Sequence, residues 1–271
     1  MVAKESPADL CGGGRVSGLA RLAQGIRGWI YPPMCGACEI PLAAERQVER
    51  PFLCEPCEEL LTPIQDGYCR VCGQRYDSPM GAESRCANCG DRELGFDFAV
   101  SAYRSSGAAR ELMHQFKYGK QLHLSRLMGA LITEVWHDKR LIEDSWWVVP
   151  VPLHPRRLRE RGFNQSHEIA VEMIRRAPPG IDLKLVPLIR RTRHTVRQAQ
   201  LDRRDRLKNP LGSFEARGGR DLRHLQDRKE GVRILIVDDV MTTGSTVSEC
   251  AAVLRHALEV EKVTGISVMR G

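Results

Sequence analysis

Long apolar runs are missing from this sequence of 271 residues, and none approaches the roughly 18 residues that a membrane span needs. Its first residues, MVAKESPADLCGGGRV, also lack the apolar stretch of a secretory signal, so we expect a cytoplasmic protein without a transmembrane segment. Aromatic residues are scarce at 6%, which leaves no evident surface for stacking nucleic-acid bases. The apolar fraction of 42% still suffices for one good-sized domain and a second, small one.

Two familiar phosphate-binding motifs are absent as well. No lysine follows the glycine of a helix-opening turn as in a Walker A loop, and the Gly-x-Gly-x-x-Gly of dinucleotide-binding folds does not occur. Positive charge is available instead: the net charge is +7, and residues 151–230 hold 20 Lys and Arg against 10 Asp and Glu. This basic middle is typical either of a solvated, arginine-rich surface or of a site for a polyanion such as a phosphorylated substrate, pyrophosphate or nucleic acid.

Cysteine is abundant, and eight of the ten cysteines form four C-x-x-C pairs. The pairs are Cys35/Cys38, Cys54/Cys57, Cys69/Cys72 and Cys86/Cys89. Without a secretion signal, this pattern predicts metal binding rather than disulfides. Two pairs complete one tetrahedral Zn²⁺ site, so four pairs predict two structural zinc ions. Pairing of neighbours in the sequence is the simplest arrangement, while a cross-braced arrangement, first pair with third and second with fourth, stays open.

Residue composition and hydrophobic periodicity divide the chain into three parts. We expect residues 1–30 to form a polar tail that ends in a short amphipathic helix at 19–30. Residues 31–92 are rich in Cys, Gly and Pro and lack the long periodic segments of a conventional core, which predicts a small Cys₄ zinc-ribbon domain held by metal. Strand-like and helix-like segments alternate over 93–271, which predicts an α/β domain with a mostly parallel sheet flanked by helices.

Hydrophobic periodicity gives the elements of this larger domain. Strands are predicted at residues 96–104, 146–152, 183–191, 232–240 and 262–270. Helices are predicted at 107–140, with a break near Tyr118, at 164–177, and at 245–260. Asn164 is suited to cap the second helix, and Pro187 indicates an edge or a bulge in the third strand. Residues 192–230 are expected to be mostly loop.

The most specific stretch is VRILIVDDVMTTGST at residues 232–246. Its buried strand ends in Asp238 and Asp239, two adjacent carboxylates that lose hydration and repel each other unless sugar hydroxyls, Mg²⁺ or a cationic intermediate compensates. The turn that follows opens a helix, and its N–H groups, hydroxyls and helix dipole form a cradle for phosphate. Ligands of parallel sheets bind at the carboxyl ends of the strands. The stretch therefore predicts a ligand with a phosphate one sugar away from vicinal hydroxyls.

ILIVDDVMTTGST resembles the phosphoribosyl pyrophosphate (PRPP) motif of type I phosphoribosyltransferases, and the predicted larger domain is similar to their fold. The resemblance implies that Asp238 and Asp239 are the catalytic carboxylates and bind the ribose 2′- and 3′-hydroxyls. It implies a Mg²⁺ ion that bridges these hydroxyls and the pyrophosphate. PRPP-binding residues of the turn and its approach would be Val240, Met241, Thr242, Thr243, Gly244, Ser245 and Thr246.

A second stretch, VVPVPLHPRRLRERGFNQSHEIA at residues 148–170, follows another predicted strand. With the cysteine pairs before it and the acidic turn after it, the chain resembles the ComF (GntX-like) family of competence-associated proteins from Tyr31 to Arg270. Basic residues just past a strand end suit a pyrophosphate, and the candidates there are His154, Arg156, Arg157 and Arg161. Lys117 and Lys120, on a predicted helix, are candidates for a closing phosphate contact.

The segment Arg190–Arg206 resembles the flexible loop that closes over PRPP and excludes water from a reactive intermediate. It holds Thr192, Thr195 and Gln198 among its arginines. The ComF resemblance further implies a role in natural competence, in the uptake and processing of transforming single-stranded DNA. Implied partners are single-stranded DNA and a competence helicase, at the periphery of the DNA-uptake machinery on the membrane.

Two functional classes stay open. One is a PRPP-binding protein that serves DNA uptake. The ComF resemblance favours this class. The alternative is a Mg²⁺-dependent phosphoribosyltransferase that moves ribose 5-phosphate from PRPP to a base, a nucleotide or a nucleic acid. A plain zinc-stabilised interaction module would leave the acidic turn unexplained. The sequence shows no legible acceptor site.

Overall fold

The computed structural model describes residues 34–42, 52–76, 86–90, 92–142, 145–193, 212–228 and 230–271. The predicted tail and helix of residues 1–30 lie outside the described residues, and so do residues 194–206 of the predicted closing loop. Within the described ranges, no helix combines the length and apolar character that crossing a membrane requires.

A five-stranded parallel sheet forms the centre of the structure, in the order β1-β7-β6-β2-β3, and a separate antiparallel pair joins β4 to β5. The strands are β1 Phe98–Arg104, β2 Ser145–Pro150, β3 Asp182–Leu185, β4 Ile189–Arg191, β5 Phe214–Ala216, β6 Val232–Met241 and β7 Val260–Arg270. Because helices cover both faces, β6 has a continuous apolar run whose residues Ile234 to Val237 are fully buried. The predicted α/β class with a mostly parallel sheet is confirmed.

Seven α-helices lie in the described residues. They are α1 Glu55–Glu59, α2 Gly107–Tyr118, α3 Ser125–Ile132, α4 Pro155–Arg161, α5 Gln165–Ile174, α6 Arg220–Gln226 and α7 Ser245–Ala257. Short 3₁₀ helices lie at Leu122–Leu124, Thr133–His137 and Lys139–Leu141. Asn164 caps α5 as predicted, since its side-chain oxygen accepts a hydrogen bond from the Ser166 N–H at 3.2 Å.

Two sequence predictions need correction. The segment 183–191 is two strands rather than one: β3 lies at the edge of the main sheet and β4 belongs to the antiparallel pair. Pro187 lies between them and has no N–H to donate to a ladder. The described part of residues 192–230 is also more ordered than expected, because it contains β5 and α6, and α6 buries Leu222 and Leu225.

Helices on the two faces of the sheet create two apolar cores. On one face α2, α3 and α5 pack against the strands and bury Phe116, Leu127 and Ile169 completely. On the other face α7 and α6 contribute Leu254 and Leu225. This arrangement leaves the carboxyl ends of the strands open at one edge of the sheet.

The cysteine segment packs against the edge strand β1. The N–H of Ile64 donates to the carbonyl of Ala102 at 2.8 Å, and the N–H of Arg104 donates to the carbonyl of Thr62 at 2.9 Å. Leu53, from the same segment, is fully buried in the core on the α2 face. The cysteine segment and the sheet therefore share one apolar core.

Candidate functional site

A cavity of about 440 Å³ lies at the carboxyl ends of the parallel strands. Its walls come from the segments that follow β1, β2 and β6, from α2 and α4, and from β4. Eight of the predicted site residues line it: Lys117, Arg157, Arg161, Asp238, Asp239, Val240, Thr242 and Thr246. The cavity therefore lies at the carboxyl ends of the strands, where the sequence predicts a ligand site.

The two carboxylates at the end of β6 are held by different partners. Asp238 Oδ1 accepts hydrogen bonds from the Ser166 hydroxyl at 3.2 Å and from the Asp239 N–H at 2.9 Å. Asp239 Oδ1 forms an ion pair with Lys117 Nζ at 2.8 Å. Burial and then the Asp239 charge raise the pKa of Asp238 to about 7, although Lys117, the Asp239 N–H and Ser166 act in the opposite direction. The pair therefore changes its charge near neutral pH.

The turn after β6 presents alternate residues to the cavity. Thr242 and Thr246 line it, whereas Thr243 and Ser245 are buried behind it, with their hydroxyl oxygens 2.9 Å apart. Gly244 precedes the first residue of α7 and has a φ of 78°, a left-handed conformation that favours glycine. Because Thr246, in the first turn of this 13-residue helix, lines the cavity, the N-terminal N–H groups and the helix dipole favour an anion there.

Four basic residues, from α2, α4 and β4, form a basic wall of the cavity. It consists of Lys117, Arg157, Arg161 and Arg191. Arg161 donates to the Gln165 side-chain oxygen at 2.8 Å, and its guanidinium lies 5.3 Å from the centre of the Tyr118 ring. These contacts fix the position of one guanidinium, which suits it to bind phosphate oxygens with little loss of side-chain freedom.

Several predicted site residues do not line this cavity. His154 instead caps α4, since its Nδ1 accepts from the Arg156 N–H at 3.2 Å. The Arg156 side chain is exposed and pairs with Glu160 at 3.2 Å. Lys120 lines a smaller adjoining cavity of about 100 Å³ that it shares with Lys117, Arg157 and Arg161. Met241, Thr243, Gly244 and Ser245 shape the turn from behind.

Two cavity residues, Arg191 and Ser166, were not singled out in the sequence. Arg191 lies on β4, with its guanidinium 5.1 Å from the centre of the Phe214 ring on β5. Burial lowers the pKa of Arg191, although nearby Cys250, Asp238 and Glu249 act to raise it. Ser166 lies two residues after the helix cap, and its contact with Asp238 spans 72 residues of sequence. Arg191 belongs to the segment Arg190–Arg206 that resembles a closing loop, and Ser166 carries no such signal.

The eight paired cysteines form two clusters. The first cluster is Cys35, Cys38, Cys54 and Cys57, and the second cluster is Cys69, Cys72, Cys86 and Cys89. The grouping is sequential, as the simplest prediction had it, and within each cluster the sulfur atoms lie within 4.8 Å of one another. Neighbouring sulfurs are 3.6 Å apart between Cys38 and Cys54 and 3.3 Å apart between Cys72 and Cys86.

These distances fit zinc. A tetrahedral ion with Zn–S bonds of about 2.3 Å brings its four sulfurs to about 3.8 Å from each other. Local N–H groups also favour thiolate: burial raises the pKa of Cys69, but N–H groups of Cys72, Cys86 and Val71 outweigh it and lower that pKa to about 6. Both clusters are therefore consistent with structural zinc ions, and such closed sites supply folding energy rather than catalysis.

Comparison with known proteins agrees with both halves of the molecule. The model of the double zinc ribbon domain matches residues 26–91. The chain is 30% identical over 226 residues to DNA utilization protein YhgH of Escherichia coli (strain K12), covering 82% of this chain and 91% of the relative. The chain belongs to the ComF family.

Other ComF-family relatives span most of the chain as well. Competence protein F of Haemophilus influenzae is 28% identical over 229 residues, which cover 78% of this chain and 94% of the relative. Competence protein ComFC of Bacillus subtilis (strain 168) is 23% identical over 260 residues, which cover 90% of this chain and 97% of the relative. The resemblance inferred from the cysteine pairs and the acidic turn is thereby confirmed.

Proposed function

We propose that this ComF-family chain binds PRPP with Mg²⁺ in the cavity at the carboxyl ends of the sheet, and that it acts in natural competence. The observation that carries the proposal is that one cavity holds three kinds of group. The N-terminal turn of a helix, a carboxylate pair and a basic wall all line it, and PRPP carries a 5′-phosphate, a ribose and a pyrophosphate.

Each part of the ligand has a partner of suitable chemistry. The 5′-phosphate would accept hydrogen bonds from Thr242, Thr246 and the N–H groups of the first turn of α7. The ribose hydroxyls would donate to Asp238 and Asp239. The pyrophosphate would be neutralised by the basic wall, where guanidinium groups can bind two phosphate oxygens at once.

Lys117 has a defined part in this proposal. In the structure its ammonium group neutralises Asp239 at 2.8 Å. Carboxylate and phosphate oxygens are the ligands that Mg²⁺ prefers, so Asp238 and Asp239 would hold the ion that accompanies PRPP and supplies positive charge to the pyrophosphate. Lys117 would then turn to the phosphates, which it can reach because it lines the same cavity.

The competence role draws on the names of the relatives. Competence protein F, DNA utilization protein YhgH and competence protein ComFC are similar to this chain over most of their length. We accordingly propose single-stranded DNA and an ATP-driven competence helicase as partners, with the protein working on the cytoplasmic side of the DNA-uptake machinery. The basic segment at residues 151–230 supports contact with a polyanion.

Calorimetric titration of PRPP in the presence of Mg²⁺ tests the ligand. Asp238→Asn and Asp239→Asn should each weaken binding strongly, because the carboxylate oxygens of both residues are proposed to bind the ribose hydroxyls and Mg²⁺. Asp182→Asn is the matched control, since Asp182 is half-exposed and pairs with Lys184 on β3. Wild-type affinity in both cavity variants would rule out the PRPP proposal.

A second candidate, an active phosphoribosyltransferase, is favoured by the extent of the cavity. Its lining also includes Ser105 and Gly271, just after β1 and β7, and Arg110 on α2, which leaves space for an acceptor in addition to the ribose. Pyrophosphate release from PRPP, screened across bases, nucleotides and oligonucleotides, decides between the two. Release that depends on one acceptor class indicates the enzyme, and PRPP binding without release indicates a PRPP sensor.

A further inference from the structure

The second cluster and the turn at residues 242–246 are joined by hydrogen bonds across the molecule. We infer that Arg92 is a positioning residue through which the second cluster holds this turn in its phosphate-binding shape. The inference deepens the proposed function, because it concerns the site assigned there to the 5′-phosphate. It adds a role for a residue outside the cavity.

Arg92 lies three residues after Cys89 and is fixed to it, since its N–H donates to the Cys89 carbonyl at 2.8 Å. From there its guanidinium extends to the turn. One nitrogen, Nη1, donates to the carbonyl of Thr243 at 2.9 Å and to that of Asn88 at 3.1 Å. The other, Nη2, donates to the hydroxyl of Ser245 at 3.2 Å. A single side chain thus binds the second cluster at one end and two residues of the turn at the other.

Asn88 and Arg270 reinforce the connection. The side-chain nitrogen of Asn88 lies 3.5 Å from Cys72 Sγ and 3.4 Å from the Thr243 carbonyl. Arg270, which is 2% exposed, donates to the Met241 carbonyl at 2.8 Å and lies 3.8 Å from Cys72 Sγ. A hydrogen bond to a charged acceptor is stronger than one to a neutral acceptor, so a thiolate at Cys72 strengthens the Asn88 contact and, because Arg270 is cationic, strengthens the Arg270 contact more. The residues on either side of Thr242 are therefore both anchored to the second cluster.

The Thr243 carbonyl is the group whose direction matters most. A carbonyl and the N–H of the next residue belong to one trans peptide and point in opposite directions. While Arg92 draws the Thr243 oxygen toward the second cluster, the N–H of Gly244 points away from it. A flipped peptide would instead turn a carbonyl oxygen toward a bound phosphate, where it repels. Gly244 makes such a flip accessible, because glycine adopts many backbone conformations.

Binding of two fragments of PRPP to the full chain tests this inference. We expect Arg92→Gln to weaken binding of ribose 5-phosphate roughly tenfold, since it removes charged hydrogen bonds to the turn. Binding of inorganic pyrophosphate with Mg²⁺ should stay unchanged, because the pyrophosphate is assigned to the basic wall and not to the turn. Arg92→Lys should restore part of the ribose 5-phosphate affinity, since an ammonium group can still donate to the Thr243 carbonyl.

Arg255→Gln serves as the matched control. Arg255 likewise joins α7 to the segment after the second cluster, donating to the Gly95 carbonyl at 2.9 Å, but it lies in the last turn of the helix. Equal losses for ribose 5-phosphate and pyrophosphate in Arg92→Gln would overturn the inference, and so would wild-type affinity for ribose 5-phosphate. If Arg92→Gln does not fold, Asn88→Ala and Arg92→Lys provide the same comparison with smaller losses.

Hydrogen exchange without ligand separates this inference from the proposed function. Arg92→Gln should speed amide exchange at residues 242–246 while the chain keeps its zinc, measured with a chromophoric chelator. If wild-type protein binds no ribose 5-phosphate, the proposed function fails. Hydrogen exchange alone then tests whether Arg92 positions the turn. Unchanged exchange at the turn would then overturn the inference.

Discussion

The two cysteine clusters share a ligand set but differ in their surroundings. In the first cluster Cys38 is exposed, and the knuckle glycine Gly36 packs against the side chains of Leu112 and Leu124 in the core on the α2 face. In the second cluster all four cysteines are buried, and hydrogen bonds connect it to the turn at residues 242–246. The same local motif therefore packs against the core on the α2 face in one place and contacts the turn proposed to bind phosphate in the other.

Removal of both zinc ions has the largest expected effect on this comparison. Structural zinc contributes roughly 10–16 kcal/mol, which is as large as the whole stability of a typical domain. A strong chelator should release about two zinc ions per chain and disorder the described parts of residues 34–90. Elemental analysis and hydrogen exchange provide the measurement. A purified chain without zinc would contradict the zinc assignment. An amide hydrogen-exchange rate that the chelator does not change would contradict it as well.

Replacing one cysteine in each cluster tests whether the two clusters support different parts of the structure. Cys72→Ser and Cys38→Ser should each bind one zinc ion fewer. In Cys72→Ser, amide exchange should rise at residues 242–246, because Asn88 and Arg270 lose the sulfur they contact. In Cys38→Ser, the rise should centre on residues 34–42 and α2. Identical exchange maps for the two variants would show that the clusters do not differ in this way.

A smaller effect on stability is expected from Asp138, which attaches the segment of the second cluster to the core. Asp138 accepts a hydrogen bond from the Tyr68 hydroxyl at 2.9 Å, next to Cys69, and pairs with Arg140 at 2.6 Å. Burial raises the pKa of Asp138, but hydrogen bonds from Arg140 and Tyr68 outweigh it and lower that pKa to about 2. Its contribution to stability is therefore fully present above the ordinary pKa of 3.8 and is lost as pH falls toward 2.

We expect Asp138→Asn to lower the free energy of unfolding by about 2 kcal/mol at pH 7, measured by urea denaturation. The difference from wild type should shrink below pH 4. Asp182→Asn, in an exposed pair, should change stability by less than about 1 kcal/mol. A deficit in Asp138→Asn that persists unchanged at pH 2 would contradict the assigned charge state.

The pH dependence of the carboxylate pair gives the smallest expected effect. It tests whether the second cluster acts on the turn or on the carboxylates. Because burial and Asp239 raise the pKa of Asp238 to about 7, its folded form keeps a proton that the unfolded chain loses near pH 3.8. This contribution to stability is complete below pH 3.8 and is lost as pH rises through about 7. Ligand binding follows the opposite trend, since Mg²⁺ requires the carboxylate.

Affinity for PRPP with Mg²⁺ should therefore be roughly tenfold lower at pH 6 than at pH 8, as measured by titration calorimetry at fixed salt. Cys72→Ser should weaken binding at every pH without moving the midpoint, because Asp238 takes no part in the hydrogen bonds to the second cluster. A flat pH profile in wild type would contradict the raised pKa of Asp238. A midpoint that shifts in Cys72→Ser would place the effect of the second cluster on the carboxylates instead of the turn.

Local sequence predicted a good part of the fold and of the site. The apolar run before Asp238, the small hydroxylated residues after Asp239 and the cap at Asn164 each act within a few residues, so their structures follow from the sequence alone. The antiparallel β4–β5 pair escaped prediction, because its partners are separated by about twenty residues that carry no periodic pattern. Arg191 reaches the cavity only through that pairing.

Cysteine spacing and the adjacent acids by themselves determined which groups this chain offers to a metal and to the proposed sugar phosphate, since chelation and strand-to-helix turns depend on nearest neighbours. Only the tertiary structure decided how those groups work together. The contact between Arg92 and Thr243 spans 151 residues, and the contact between Arg270 and Cys72 spans 198. Such contacts depend on the order of strands in the sheet and on the docking of the cysteine segment against β1, and neither is encoded in any short stretch of sequence.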